Sequence, residues 1–267
     1  MNMNTLMKKM KKQIQQIDKS EVIETSLLRG KLALLQPKVG FHASVDTVFL
    51  SFSMQLDKKS NVLDVGCGVG SAGLCLTLKN KNIQLFGLDI QQDLVDLAHQ
   101  NARLNGLEDR CQFFCGSLLS EGVIPDNHFN AVLMNPPYQE AGRHTSSPEK
   151  IKAMSHGEEA SGARLEDWVK YAHRKLKNGG YLSLIHRADR LDDVVVALEK
   201  RRWFGSLVVY PLFSYAGENA KRVIVRARKE RYAPLVLKSG MVIHEKGGKY
   251  TEAARAVLED GAALEVD

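Results

Sequence analysis

From residue 61 onward, the chain alternates short apolar runs with segments of helical periodicity, and this alternation constrains the fold more than any other feature. Seven runs have the length and composition of buried strands, and four segments between them repeat apolar residues at helical spacing. The strand candidates are residues 62–65, 83–88, 111–115, 131–134, 181–185, 207–210 and 223–225, and the helix candidates are residues 72–79, 93–105, 165–176 and 191–201. This order predicts an α/β fold with a doubly wound, mainly parallel, seven-stranded sheet covered by helices on both faces.

The length of 267 residues suits one large domain with small appendages. Residues 1–27 are polar and rich in lysine and glutamine, which predicts a basic arm or a peripheral helix. Residues 28–232 would then form the main domain, and residues 233–267 a strand and helix packed on it. Residues 135–163 have no regular pattern, and so long an irregular segment within a compact domain is typically functional.

The composition excludes several classes of protein. Hydrophobic residues make up 44% of the chain and charged residues 25%, as in globular proteins. No apolar run approaches the roughly 20 residues that cross a bilayer, and no apolar signal-peptide core follows the first lysines, so we expect a cytoplasmic protein without a membrane partner. The four cysteines lack Cys-x-x-Cys spacing, so we expect neither disulfides nor a metal site.

The formal charge of +6 is unevenly distributed along the sequence. Clustered basic residues are the electrostatic footprint of a protein that binds a polyanion such as RNA, although each cluster could equally be a solvated face. The clusters comprise Lys8, Lys9, Lys11 and Lys12, then Lys200, Arg201 and Arg202, and finally Lys221, Arg222, Arg226, Arg228, Lys229 and Arg231.

A glycine-rich loop closes the first core strand and opens a helix. Gly66, Gly68 and Gly70 would let the backbone turn tightly and bring a ligand against amide groups at the helix N-terminus. Their spacing differs from the Gly-x-Gly-x-x-Gly of dinucleotide enzymes. Asp89 ends the next strand, where a carboxylate can accept hydrogen bonds from ribose hydroxyls, and Asp64 precedes the loop as the acid that methyltransferases use near a methionine ammonium group. Together, the glycine loop, Asp64 and Asp89 favour a binding site for S-adenosyl-L-methionine over a site for a nicotinamide cofactor or a turn with a purely structural role.

Residues 61–186 resemble the core of class I, Rossmann-like methyltransferases. The resemblance implies an antiparallel last strand and S-adenosyl-L-methionine as the cofactor. In that family, an acidic residue after the third strand usually lies beside the cofactor adenine. Ser117 stands at that position here, and we expect it to contact the cofactor in place of the acid.

The sequence Asn135-Pro136-Pro137-Tyr138 follows the fourth strand and resembles the motif of methyltransferases that act on planar amines. The Asn135 side-chain oxygen and the Pro136 carbonyl would hold the two amine hydrogens and stabilise the positive charge that develops on the nitrogen. We also expect Asn135 to border the cofactor, and Tyr138 to stack on the substrate base. The alternative is a proline turn with Tyr138 packed in the core.

Wider similarity extends over residues 28–230 to the valine-tRNA adenine-37 N6-methyltransferases. The residues that show this similarity are 36–50, which include Gln36 and Asp46, together with Gly142, His156, Gly157, Glu158 and residues 184–187. The resemblance implies transfer of a methyl group to N6 of an adenine in RNA, in particular tRNA. A protein glutamine N5-methyltransferase, a ribosomal RNA amino-methyltransferase and a non-catalytic RNA-binding protein are the alternatives.

Overall fold

The computed structural model describes residues 21–40, 42–56, 58–120, 122, 124–137 and 162–266. Within these ranges the chain forms eleven strands and six helices. The strands are β1 (Val22–Leu27), β2 (Leu32–Pro37), β3 (Ser60–Val65), β4 (Ile83–Asp89), β5 (Cys111–Cys115), β6 (Phe129–Met134), β7 (Leu176–Arg187), β8 (Phe204–Phe213), β9 (Arg222–Lys229), β10 (Val236–Leu237) and β11 (Met241–Val242). The helices are α1 (Val45–Phe52), α2 (Ser71–Lys79), α3 (Gln92–Leu104), α4 (Leu165–Lys175), α5 (Leu191–Glu199) and α6 (Glu252–Asp260).

Nine of these strands form one sheet in the order β10-β8-β9-β7-β6-β3-β4-β5, with β11 also paired to β8. Strand β9 runs antiparallel to both of its neighbours, and the other pairs are parallel. The predicted mainly parallel, doubly wound sheet with an antiparallel last strand is therefore confirmed, and all seven predicted strands belong to it. The predicted number of seven was too low because two strands of only two residues join the edge beside β8.

Each face of the sheet is covered by its own apolar core. Helices α1, α2, α3 and α6 contribute to one core, and α4 and α5 contribute to the other. Adjacent residues of β3 alternate between them, since Val62 packs into the first core and Leu63 into the second. Burial on both faces explains why the central strands read as continuous apolar runs.

A separate antiparallel hairpin precedes the sheet, formed by β1 and β2. The sequence predicted that residues 1–27 would be a basic arm or a peripheral helix, but residues 22–27 form strand β1; residues 1–20 lie outside the described ranges. The difference has a physical reason: no residue of β1 is fully buried, so its sequence carries little of the alternation that marks a strand.

Two asparagines at the C-terminal end of α3, Asn101 in its last turns and Asn105 just after it, hold this hairpin against the main sheet. Asn105 accepts a hydrogen bond from the Ala33 amide at 3.0 Å and donates to the Ala33 carbonyl at 2.7 Å. Asn101, one helical turn earlier, makes the same pair of bonds to Leu35, at 2.7 and 3.0 Å. Asn101 also donates to the Val69 carbonyl at 3.0 Å, so the hairpin, α3 and the glycine loop form one hydrogen-bonded unit.

The C-terminal segment contributes to the first core. Helix α6 begins at Thr251, whose hydroxyl accepts a hydrogen bond from the Ala254 amide at 3.2 Å, and it buries Val257 and Leu258. The following Leu264 amide donates to the Phe52 carbonyl of α1 at 2.8 Å. Among the described residues, no helix combines the length and the apolar character that a membrane span requires.

Candidate active site

Three segments of predicted chemical importance meet at the carboxyl ends of the parallel strands. The glycine loop follows β3, Asp89 ends β4 and Asn135 follows β6. Strand β3 lies between β4 and β6. The strand order therefore reverses at β3, with the next strand along the chain on one side of it and a later strand on the other. In open α/β sheets, ligands bind in the crevice that such a reversal of strand order creates.

The glycine loop has a backbone that other residues adopt only with strain. Gly66, Gly68 and Gly70 have φ values of +70°, +53° and +83°. The Gly66 amide donates to the Leu88 carbonyl of β4 at 2.7 Å, which ties the loop to the neighbouring strand. A Cβ atom at Gly66 would lie 2.5 Å from Cη2 of Trp168, so the loop rests directly on this ring.

Two buried carboxylates border the loop. Asp64 accepts a hydrogen bond from the Gly73 amide at 3.0 Å, and Asp89 accepts from the amides of Gly68 at 2.8 Å and Gln91 at 3.0 Å. Burial raises the pKa of Asp64 to about 7, with a further contribution from the charge of Asp89, and burial also raises the pKa of Asp89. Since burial disfavours both charges, the site favours a ligand that carries positive charge.

These residues fit S-adenosylmethionine in shape and in charge. The sulfonium and ammonium groups of that cofactor are the positive charges that two buried carboxylates attract. Each Asp89 oxygen accepts one backbone hydrogen bond and keeps a further lone pair, which suits the two hydroxyls of a ribose. The left-handed backbone of the glycines gives the loop a tight turn, which can bring its amides toward a ligand.

The predicted acceptor pair lies at the same edge of the sheet. Pro136 is buried and Asn135 is half-buried, directly after β6. The Asn135 Oδ1 atom is buried and finds no hydrogen-bond partner within the described part of the chain. A buried acceptor left without a donor costs about 1–3 kcal/mol, so this atom is suited to receive a donor from a ligand. Tyr138, which was also predicted to act here, lies outside the described residues, and so do Gly142, His156 and Glu158, which carry part of the family resemblance.

Ser117 lies in a turn just after β5, on the far side of β4 from the glycine loop. The turn is attached to β4 because the Gly116 amide donates to the Asp89 carbonyl at 2.8 Å. The Ser117 hydroxyl oxygen accepts a hydrogen bond from the Leu119 amide at 3.1 Å, which leaves its own hydrogen available as a donor. The expected contact between Ser117 and the cofactor stays a prediction.

Gln36 and Asp46 support the neighbouring structure. Gln36 is buried, and its side-chain oxygen accepts a hydrogen bond from the Ala43 amide at 3.1 Å. Asp46, in the first turn of α1, accepts from Nε of Arg222 at 2.8 Å and so links α1 to the start of β9. Both side chains therefore have a clear structural role at the border of the site.

Sequence reasoning missed two residues that shape the site. Trp168 belongs to α4, and the sequence pattern predicted only a helix over this segment. Its Nε1 atom is buried without a hydrogen-bond partner among the described residues, although its ring supports Gly66. Asn101 was not singled out in the sequence, but it is fully buried and holds the loop through the Val69 carbonyl.

The basic residues between positions 221 and 231, which cluster in the sequence, do not form one surface in the structure. Arg226 and Lys229 are buried, and Lys229 donates to the Leu176 carbonyl and to Asn127, both at 2.9 Å. Arg222 and Arg231 flank opposite ends of β9, about 24 Å apart at the usual rise of a strand. The cluster Lys8–Lys12 lies outside the described residues.

At the catalytic edge, several of the described arginines are neutralised within the chain. Arg187 donates to Asp189 at 2.9 Å, Arg190 pairs with Asp193, and Arg222 pairs with Asp46. Lys221 is exposed at the same edge. In the described part of the chain, no cluster of three or more His, Cys, Asp or Glu side chains is arranged to hold a metal ion.

The fold and the site define an S-adenosylmethionine-dependent methyltransferase of class I, and comparison with known proteins agrees. The sequence signature of the methyltransferase small domain matches residues 39–199, more than half of the chain. The chain therefore belongs to the methyltransferase small domain family.

Solved structures show the same fold. A predicted O-methyltransferase from Agrobacterium tumefaciens superposes with a TM-score of 0.68 at 24% identity, over 82% of this chain and 98% of its own. The tRNA (m1A58) methyltransferase of Aquifex aeolicus gives a TM-score of 0.51 at 15% identity, over 73% of this chain and 72% of its own.

Two kinds of relative share sequence with the chain to very different extents. The release factor glutamine methyltransferase of Bacillus anthracis is 37% identical over 82 residues, which are 31% of this chain and only 28% of the relative. The tRNA1(Val) (adenine(37)-N6)-methyltransferase of Actinobacillus pleuropneumoniae is 25% identical over 223 residues, which are 83% of this chain and 90% of the relative.

Proposed function

We propose that this methyltransferase transfers a methyl group to the exocyclic N6 amine of an adenine in tRNA. The observation that carries the proposal is the buried Oδ1 atom of Asn135, an acceptor with no partner among the described residues, at the edge of the sheet that also holds the glycine loop. An amine hydrogen of a flat substrate would supply the donor that this atom lacks.

The residue types suit the chemistry of such an amine. The lone pair of the adenine amine is delocalised into the ring, so the nitrogen is a poor nucleophile. Acceptance of its hydrogens by Asn135 and the Pro136 carbonyl favours a tetrahedral nitrogen and stabilises the positive charge that develops on it. Consecutive prolines restrict the backbone, so the carbonyl is oriented before the substrate arrives. When bound, S-adenosylmethionine supplies the electrophilic methyl group.

The cofactor would be held by residues on both sides of the glycine loop. Asp89 accepts hydrogen bonds from the ribose hydroxyls, and Asp64 attracts the positively charged methionine end. Gly66, Gly68 and Gly70 give the loop the tight turn that would bring its backbone amides toward the cofactor. Ser117 donates to the adenine of the cofactor from the turn after β5, and Asn135 borders the reacting methyl group. Tyr138 would offer a flat face on which the substrate base stacks.

The extent of similarity favours tRNA over a protein as the substrate. The tRNA-modifying relative aligns over 90% of its own length, whereas the glutamine-modifying relative aligns over 28%. The shorter match has the higher identity, 37%, and makes glutamine the second candidate, because the amide nitrogen of glutamine also carries two hydrogens. A tRNA substrate would place the enzyme in the cytoplasm.

Transfer of a labelled methyl group to separate acceptors tests the proposal. Unmodified total tRNA, ribosomal RNA and release factor would be incubated with the purified full chain, and the products would be analysed as nucleosides or peptides. We expect N6-methyladenosine in tRNA. Label on protein alone would replace adenine by glutamine as the acceptor, and label in ribosomal RNA alone would retain the chemistry and reject tRNA.

A further inference from the structure

A patch of exposed positive charge lies at the edge of the sheet opposite the candidate active site. Three arginines define this feature, which we call the far-edge patch: Arg201 and Arg202, just before β8, and Arg231, just after β9. All three are exposed. The register pairs Phe204 of β8 with Lys229 of β9, so the segment just before β8 and the segment just after β9 lie side by side.

The guanidinium groups of the patch are largely unused within the protein. Among the described residues, none of the three forms an ion pair, and neither Arg201 nor Arg202 donates a hydrogen bond. Arg231 donates once, to the Glu230 carbonyl at 2.8 Å. The patch thus differs from the catalytic edge, where Arg187, Arg190 and Arg222 each pair with an aspartate of this chain.

Aromatic rings and backbone turns hold the side chains in place. The Arg202 guanidinium lies 4.5 Å from the centre of the Tyr232 ring, and the Tyr232 hydroxyl donates to the Arg202 carbonyl at 2.9 Å. Arg201 lies 6.0 Å from the Trp203 ring. Arg201 and Arg202 both have left-handed backbones, with φ values of 54° and 55°. Two consecutive residues in a conformation that L-amino acids rarely adopt form a turn of defined geometry. Backbone conformations of this kind are concentrated at functional positions.

We propose that the far-edge patch binds phosphates of the RNA substrate outside the nucleotide that is methylated. Arginines that are ordered before binding lose little freedom when they contact a phosphate, and their planar groups offer two donors each to one phosphate. The patch is about 24 Å from the catalytic edge along β9, so a folded RNA can contact both edges at once. The inference rests on the proposed function and extends it to a second contact surface.

Three variants of the full chain test the proposal: two of them remove the same number of positive charges at different places, and one keeps the charges of the patch. R201Q/R202Q/R231Q removes three charges from the patch, and R201K/R202K/R231K keeps the charges without the planar groups. K58Q/K59Q/K81Q is the control, because these exposed lysines precede β3 and β4 at the same edge. Strand β3 is four positions from β8 in the sheet, or about 19 Å.

The measurements are binding of unmodified total tRNA across a salt series, by fluorescence anisotropy with S-adenosylhomocysteine present, and methylation kinetics. Each lost phosphate contact should reduce the salt slope by about 0.7–0.9. We therefore expect the glutamine variant to reduce the slope by about 2–3, to weaken binding by about tenfold or more, and to raise KM for tRNA with little change in kcat or cofactor affinity. The control and the lysine variant should keep slopes close to that of the original chain.

Other results would overturn the proposal in distinguishable ways. Equal salt slopes for R201Q/R202Q/R231Q and the control would reject the patch while leaving tRNA methylation intact. Loss of binding by both arginine variants together with a lowered melting temperature would assign the arginines a structural role. Loss of release factor methylation with unchanged tRNA binding would assign the patch to a protein substrate. If the original chain labels no RNA at all, the proposed function fails first.

Discussion

Replacement of Gly66 by alanine tests whether the glycine loop is held by direct contact with Trp168. The added Cβ would lie 2.5 Å from Cη2 and 2.9 Å from Cζ3 of this ring, whereas carbon atoms in contact are normally about 3.5–4.0 Å apart. Trp168 is buried in the second core and cannot move away freely. The backbone also opposes the change, because Gly66 has a φ of +70°.

The expected cost has two separable parts. A left-handed backbone costs alanine about 1–2 kcal/mol, and overpacking of a core costs about 1–3 kcal/mol, so Gly66→Ala should lower the free energy of unfolding by about 2–5 kcal/mol. Gly106→Ala is the matched control: its φ is +64°, and nothing lies within 4 Å of the added atom. This control should lose only the backbone part. The smaller freedom of the unfolded chain favours alanine equally in both variants and therefore cancels.

Urea denaturation followed by circular dichroism measures both losses, and calorimetry with S-adenosylhomocysteine measures the accompanying loss of cofactor affinity. Trp168→Phe combined with Gly66→Ala should recover about 1–2 kcal/mol relative to additivity, because the smaller ring relieves the contact. Equal destabilisation by Gly66→Ala and Gly106→Ala, with additive behaviour of Trp168→Phe, would refute the argument from contact.

Four further predictions concern the polar groups of the site. Asp89→Ala should weaken S-adenosylhomocysteine binding by about 1–3 kcal/mol in calorimetry, and unchanged affinity would reject the ribose contact. Asn135→Ala should lower kcat by about a hundredfold or more with little change in cofactor affinity, whereas near-normal turnover would leave the motif a structural turn. Because burial raises the pKa of Asp64 to about 7, binding of the cationic cofactor below pH 7 should release a proton, and affinity should increase as the pH rises to about 7. Calorimetry in buffers of different ionisation enthalpy measures this release, which Asp64→Asn should abolish. By the same shift, the free protein takes up a proton on folding between about pH 4 and pH 7, so its free energy of unfolding should fall as the pH rises through that range.

The central sheet could be predicted because its strands are buried on both faces and therefore appear as uninterrupted apolar runs. Burial on all sides also prevented the prediction of helix α1 from the sequence. Residues 47–52 are all buried, so this eight-residue helix lacks the exposed polar face that marks an amphipathic helix. The opposite problem applies to β1, which buries too little to show a pattern.

The candidate site could be predicted in part for a geometric reason. Asp64, Asp89 and Asn135 lie at or just beyond the carboxyl ends of strands, and parallel strands bring those ends to one edge whatever their exact packing. Trp168 could not be predicted, because it reaches the loop from a helix about a hundred residues later in the chain. No local sequence pattern reports a contact of that kind.

The basic residues show why clustering in a sequence does not establish clustering on a surface. An extended strand spreads eight residues over about 24 Å and turns successive side chains to opposite faces. Strand β9 therefore carries Arg222 to the catalytic edge and Lys229 to the far edge, while Arg226 is buried between them. The positive charge that reaches solvent at the far edge comes instead from two separate segments, before β8 and after β9, which the antiparallel pairing brings together. The net charge alone would have suggested attraction to RNA but not where on the protein the RNA binds. The pairing of the strands shows that an RNA in contact with both edges must extend across the sheet.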